Sequence, residues 1–313
     1  MSGTPDDYTS PEAREIARVK AREIREKHRK RERRARFLIV GGIVAAVVVI
    51  VAVVATSIIG SQHPVTAGPL NMLNDGIRIS TDLKAVPTTA REPDAGSTAV
   101  PAPTQSSAPA VSIVVYTDYL CPECGEFNRT NADQLKAWAQ TGAATFEVHP
   151  LSLLNGKSQG TQYPQRAANA AACVANYAPD DFFVFHTSLF ANQPDEGTAG
   201  LTDDQLVSYA KAAGVTDIGP VTDCITSLHF ARWVKDATDR ATVGPLQNAD
   251  VPNVTTTPLV LVNGVSYTGP LTDAPSFAAF VVQAAGTAFS STATATPTPT
   301  ATQAPAPKPT STK

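Results

Sequence analysis

The sequence predicts an α/β protein whose sheet-forming halves are separated by an inserted α-helical domain and preceded by one transmembrane helix. Three observations carry that reading. Residues 37–60 are 24 uncharged positions dominated by Val, Ala and Ile. A run that reads as strand, Cys-Pro-Glu-Cys, helix and strand occupies 111–150. An apolar strand, an Asn-Gly turn, a returning strand and a helix occupy 258–288, and the patterns between these two regions are helical.

Residues 1–36 hold 12 Lys or Arg against 7 Asp or Glu, and the cluster from Arg29 to Arg36 abuts the apolar span. At ~1.5 Å per residue that span makes a helix of ~36 Å, enough to cross a ~30 Å hydrocarbon core. A cleaved signal peptide is the alternative. Its apolar region usually runs to about 7–15 residues and ends in a small-residue cleavage site, so an uncleaved signal anchor is favoured. Positive flanks stay cytoplasmic. The expectation is a cytoplasmic basic segment (1–36), a single pass through the lipid bilayer of the cell membrane (37–60), and an extracytoplasmic C-terminal domain. The exterior part then carries 13 basic and 21 acidic residues, a net charge of −8 that the whole-chain value of −3 conceals. That balance argues against nucleic acid as a partner.

Residues 61–109 are rich in Pro, Ala, Thr and Ser and read as a linker. A weak alternation over 70–79 leaves open an ordered short strand near 70–80. Residues 290–313 repeat Thr, Pro and Ala with almost no bulky apolar side chain and read as a disordered tail. The globular part is therefore split into 110–158 and 244–289, with 159–243 as the helical insertion.

Within it, Val111-Ser112-Ile113-Val114-Val115-Tyr116 reads as a strand, 122–140 as a helix ended by Thr141-Gly142, and 144–148 as a second strand before His149-Pro150. Helices follow at 163–177, 180–191, 203–213 and 220–241, with breaks at Pro179, Pro194, Gly214 and Gly244-Pro245. The strand at 258–262, the turn Asn263-Gly264, the return at 265–268 and the helix 274–288 complete the order.

All 4 cysteines, Cys121, Cys124, Cys173 and Cys224, lie in the exterior part. Outside the cytoplasm an even count favours two disulfides, and pairing near neighbours leaves Cys173 with Cys224. Zinc is disfavoured because paired ligand clusters are lacking, so no metal is expected. Cys173 as an inert buried thiol remains the alternative. Two thiols three apart on the first turn of a helix can close a small disulfide ring, and the first faces the N–H groups and positive dipole end that favour its thiolate. Thiolate is the attacking species in disulfide exchange.

Strand, CxxC, helix and strand, then Thr257-Pro258, a hairpin with Asn-Gly and a last helix resemble the thioredoxin fold. With 133 residues between Cys124 and Pro258, the pattern is similar to DsbA-like thiol:disulfide oxidoreductases, which carry a helical domain there. Tyr116-Thr117-Asp118-Tyr119-Leu120-Cys121-Pro122-Glu123-Cys124 resembles the aromatic-x-Asp-x-x-Cys-Pro-x-Cys signature of membrane-anchored actinobacterial members, which also place a second disulfide in the insert. The resemblance covers about 180 of 313 residues. It implies Cys121 as the exposed nucleophile, Cys124 as the resolving cysteine and Thr257-Pro258 as a cis-proline loop beside them. Pro122, Glu123 and Thr257 would meet the substrate. The implied substrates are exported reduced proteins, the implied reoxidant is a quinone-linked membrane protein of the DsbB or vitamin K epoxide reductase-like type, and no cofactor beyond the redox-active disulfide is expected. From the residues alone, Pro258 could equally be a trans proline starting a strand.

Two departures bear on redox direction. Strongly oxidising relatives carry His where this chain has Glu123, and Val115 stands where several have a buried acid. Asp118 is therefore a candidate for handling the proton of Cys124, although a helix-entry residue accepting backbone N–H bonds is the favoured reading. His149 is read as partly exposed near the end of a strand, and His186 and His229 as core-edge side chains. Three functions follow: a membrane-tethered dithiol oxidase, the same site run as a reductase or isomerase, and a non-catalytic peptide-binding or chaperone module.

Overall fold

The computed structural model describes residues 67–92 and 111–293. The basic segment, the apolar span 37–60, residues 93–110 and the tail from 294 lie outside the described residues. Among the described residues no helix is long and apolar enough to cross a membrane.

β2 (Val111–Asp118) leads into α1 (Pro122–Thr141), which returns the chain to β3 (Ala144–Leu151), parallel to β2. The α1 residues Cys124, Phe127, Asn131, Leu135 and Ala139 recur every three or four positions and are buried, so one stripe of the helix faces the core. Gly142, at φ 72°, closes its C-terminus in the left-handed conformation that a Cβ disfavours. β3 runs three residues past the predicted Val148 and takes in His149 and Pro150. All eight of its residues are buried, as a strand covered on both faces requires.

The second sheet-forming half supplies β4 (Leu259–Val262), antiparallel to β2, and β5 (Val265–Ser266), joined through Asn263-Gly264 with both central residues at positive φ. α7 (Ala274–Ala293) closes the chain and is longer than the predicted 274–288. The short-strand reading near 70–80 is the one the fold uses: β1 (Ile77–Ile79) pairs antiparallel with β3 and gives the sheet order β1-β3-β2-β4-β5. Residues preceding it are packed as well, with Met72 fully buried and Gly68 N donating to Arg91 O at 2.7 Å.

The insertion holds α2 (Tyr163–Tyr177), α3 (Phe182–Ala191), α4 (Asp203–Ala212), α5 (Ile218–Thr226) and α6 (Ala231–Val243). The predicted single helix over 220–241 is two helices. Leu228 sits at φ 54°, and Phe230 N donates to Asn169 Oδ1 of α2 at 2.8 Å. A tertiary hydrogen bond thus takes a backbone donor that an unbroken helix would use internally. Cys173 on α2 is bonded to Cys224 on α5, across 51 positions of sequence.

Candidate functional site: a dithiol at a helix N-terminus

Cys121 is the N-cap of α1, in extended conformation at φ −70° and ψ 118°. Pro122 at the first helical position fits because its missing N–H is one of the orphan donors in any case. The Cys121 Sγ accepts from Cys124 N at 3.4 Å, so the sulfur occupies the place that a capping oxygen usually takes. It also lies 3.2 Å from the Thr257 carbonyl oxygen and 3.5 Å from Glu123 Oε2. Thr257-Pro258 is a cis peptide, and Thr257, 136 residues further along the chain, lies against the sulfur.

The Cys121 thiol is held below its ordinary pKa. The Cys124 thiol contributes most to that shift, with the Thr257 side chain and the Cys124 backbone N–H adding to it against burial, while Glu123 works in the opposite direction. Burial pushes the Cys124 thiol up strongly, and Cys121 adds to this, although the Thr117 hydroxyl and the Asp118 backbone N–H face its sulfur. The two thiols are thus unequal: the outer one yields its proton readily and the inner one keeps it. Both are reduced.

An exposed Cys121 is not what the fold provides. Its exposure is 3%, and it sits in the wall of an open groove of 420 Å³ with Glu123, Leu153, Leu154, Glu196, Thr255, Thr256, Thr257, Pro258 and Leu271. Thr257 and Glu123, both in contact with the sulfur, line the same groove.

Asp118 is fully buried and ties two loops together. Its Oδ1 accepts from Leu120 N and its Oδ2 from Leu154 N, both at 2.9 Å. Burial raises its carboxyl to about 6 despite these bonds, and Glu196 adds to the shift. It fastens the entry to the helix, while the N-cap position itself belongs to Cys121.

Several residues of the site carried no motif. Gln193, just beyond α3, donates from Nε2 to Cys121 O at 2.7 Å and to Tyr119 O at 3.2 Å, while Arg129 of α1 donates to its Oε1 at 3.3 Å. His186 is 1% exposed and joins Tyr119 Oη (3.0 Å) to Asn128 Nδ2 (3.1 Å), enclosed by Phe146, Phe182 and Phe190. Its burial lowers its pKa to about 3. The core-edge reading of His186 is corrected: it is a full core residue pinning the active-site turn to the insertion.

His149 is also corrected, being 4% exposed, stacked on Tyr116 at 4.3 Å and paired with Glu147 at 2.8 Å, away from the Cys121 groove. Glu147 also receives Arg78 and Asn74, and its carboxyl falls to about 2: the His149 and Arg78 contacts outweigh a desolvation penalty that acts the other way. His229 packs edge-on against Phe230 at 4.7 Å. Among the described residues no cluster of His, Cys, Asp and Glu is arranged to hold a metal ion.

A family model described as thioredoxin matches residues 105–280. The solved structure of reduced DsbA from Mycobacterium tuberculosis is 28% identical, with a TM-score of 0.52, and the likeness covers 71% of this chain and 100% of that one. Disulfide bond formation protein D of Bacillus subtilis is 32% identical over 113 residues, 36% of this chain and 47% of that protein. The serine/threonine-protein kinase PknE of Mycobacterium tuberculosis is 30% identical over 113 residues, 35% of this chain. The chain spans 20% of PknE's length. The matched region contains both halves of the sheet, the insertion and the cysteine pair at the head of α1. The chain belongs to the thioredoxin family, and its fold and paired cysteines are those of the DsbA-type thiol–disulfide oxidoreductases.

Proposed function

We propose that this protein is a membrane-tethered, extracytoplasmic oxidase that forms disulfides in exported proteins. The observation that carries the chemistry is the unequal thiol pair, Cys121 held below its ordinary pKa at the wall of a groove and Cys124 pushed above it behind. Starting from the Cys121–Cys124 disulfide, a substrate thiolate attacks the Cys121 Sγ and expels Cys124 as a thiolate, which takes up a proton. Asp118, titrating at about 6 and with its backbone N–H on the Cys124 sulfur, is assigned that proton handling. The substrate's second thiolate then attacks its own sulfur in the mixed disulfide. Cys121 leaves as the better leaving group, because the lower thiol pKa departs faster. The substrate loses two electrons and two protons, and the protein's disulfide becomes a dithiol.

Continued turnover needs an oxidant, which we assign to a quinone-linked membrane protein of the DsbB or vitamin K epoxide reductase-like type. The apolar span 37–60 would hold both partners in one bilayer and raise their effective concentration. The Thr257 backbone N–H has no partner within the described residues, which suits pairing with an extended substrate segment across the groove.

The reductase or isomerase reading stays as the alternative on one observation: Glu123 Oε2 at 3.5 Å from the sulfur raises the Cys121 pKa, which favours the oxidised pair. Equilibrating the full chain with glutathione buffers and trapping its thiols separates the two. An oxidase is reduced at glutathione ratios that leave a reductase oxidised. A Cys121–Cys124 pair that never exchanges with glutathione would remove both readings in favour of a binding module.

A further inference from the structure

The charged side chains lining the Cys121 groove are both carboxylates. Glu123 comes from the first turn of α1 and Glu196 from the loop between α3 and α4, so the active-site helix and the insertion each supply one. Both are exposed, and among the described residues neither forms an ion pair with Lys, Arg or His. Two other acidic groups near this region are matched: Asp203 meets Arg166 at 2.8 Å, and the Asp118 carboxylate is bonded by two backbone N–H groups. The field of Glu196 also reaches inward, since it raises the pKa of Asp118, whose carboxylate lies behind the groove. Its other lining groups, Leu153, Leu154, Leu271 and the three threonines, are neutral. Whatever polypeptide lies over Cys121 therefore meets a groove whose charged lining is negative and unpaired.

We infer that the groove selects substrate cysteines flanked by basic residues, with Glu123 and Glu196 as the specificity-determining side chains. The inference rests on the exchange reading above and adds the substrate class. Arginines flanking the reacting cysteine would be attracted by these two carboxylates, whereas acidic flanks would be repelled by them. For exposed charges about 7 Å apart in a medium of effective dielectric about 40–80, each contact changes the rate by a factor of about 3–8. The preference is electrostatic, so it contracts at about 1 M salt, where the Debye length is ~3 Å.

The test uses the oxidised full chain and three peptides that differ only in the residues flanking one cysteine: Arg, Gln or Glu. Their rates of mixed-disulfide formation with Cys121 are measured by acid quench and mass spectrometry, and corrected for each peptide's own thiolate fraction. The Arg peptide is expected to react about 10-fold or more faster than the Glu peptide at low salt, with Gln between and the spread narrowing in about 1 M NaCl. Glu196→Gln should remove roughly half of the preference on a logarithmic scale, and Glu123→Gln with Glu196→Gln most of it. The ratio between peptides cancels any change these variants make to Cys121 itself. Equal rates for the three peptides, or an undiminished preference in the double variant, would overturn the inference while leaving the exchange chemistry standing. No mixed disulfide with any peptide would overturn the exchange reading and this inference together.

Discussion

The molecule holds two cysteine pairs with opposite surroundings. Cys173 and Cys224 lie on the facing helices α2 and α5, 0% and 4% exposed, and are joined by a disulfide. Cys121 and Cys124 are equally buried by exposure, at 3% and 1%, yet they are thiols, and one of them borders a groove. Burial alone therefore does not separate a structural pair from a reactive one. The difference lies in what surrounds the sulfur. Around Cys121 stand a helix N-terminus, a backbone N–H, a carbonyl and a carboxylate, each of which favours one charge state of the sulfur over the other. Around Cys173 stand Ala170, Ala171, Ala172 and Val174, all fully buried and apolar.

The contrast is broken most directly by removing one pair at a time. Cys121→Ser should abolish disulfide exchange and leave thermal stability nearly unchanged. Cys173→Ala with Cys224→Ala should do the reverse. It frees a loop of 51 positions, which in the chain-entropy model is worth about 4 kcal/mol, and leaves the exchange rate intact at temperatures where the variant is folded. Denaturant melts and thiol trapping on the same samples read both effects. A fall in exchange rate that tracks no loss of structure in the double variant would show that the insertion's disulfide reaches the active pair.

Much of this contrast was legible in the sequence. CxxC between a strand and a helix gave the reactive pair, and an even cysteine count outside the cytoplasm then left Cys173 to pair with Cys224. The strands and the hairpin followed from apolar runs, alternation and Asn263-Gly264, whereas the sheet order came only with the structure. What escaped was set by contacts between distant segments. Gln193 and His186 lie in the insertion with no motif around them, and they matter because α3 packs against α1 near the cysteines. The break at Leu228 is enforced by Asn169, 61 positions before the Phe230 N–H that it captures. His149 was misplaced because the strand carrying it continues to Leu151, which buries its ring against Tyr116.

A second way to sharpen the comparison uses pH, because the reactive end is flanked by two buried titrating groups and the disulfide by none in contact. Asp118 is raised from 3.8 to about 6. The folded state then binds the extra proton, so the stability it contributes is complete below pH about 4 and is lost as pH rises through about 6, by about 3 kcal/mol in all. His186 is lowered from 6.5 to about 3. There the unfolded state binds the proton, and stability is complete above pH about 6.5 and falls on acidification, by about 1.4 kcal/mol per unit. Between pH 4.5 and 6 the two slopes oppose each other, and Glu147, already ionised at about 2, adds little above 4.5. The wild-type protein should therefore be nearly flat in that window. Asp118→Asn should become more stable with rising pH, and His186→Gln less so. Parallel profiles for all three proteins, measured by urea denaturation, would dismiss these assignments.

The smallest expected effect concerns the charge beside Cys121 and decides the direction of the chemistry. Glu123 is exposed, so its action on the sulfur is screened: at 3.5 Å and an effective dielectric of ~40–80 it destabilises the thiolate by ~1.2–2.4 kcal/mol. The helix terminus offsets only part of this, ~0.3–1 kcal/mol, and the net thiolate stabilisation comes from the Cys124 thiol, the Thr257 side chain and the Cys124 N–H. Glu123→Gln should thus lower the Cys121 thiol pKa by about 0.9–1.7 and shift the glutathione equilibrium about 7–55-fold toward the dithiol. Glu123→His should go further in the same direction when the imidazole is charged, because it substitutes attraction for repulsion. The Cys173–Cys224 disulfide should not respond to either change, since no charged contact joins it to residue 123. Thiol trapping of both pairs in one set of glutathione buffers makes the second pair an internal reference. An unmoved Cys121–Cys124 equilibrium would mean that Glu123 is fully screened at the sulfur despite lying 3.5 Å from it.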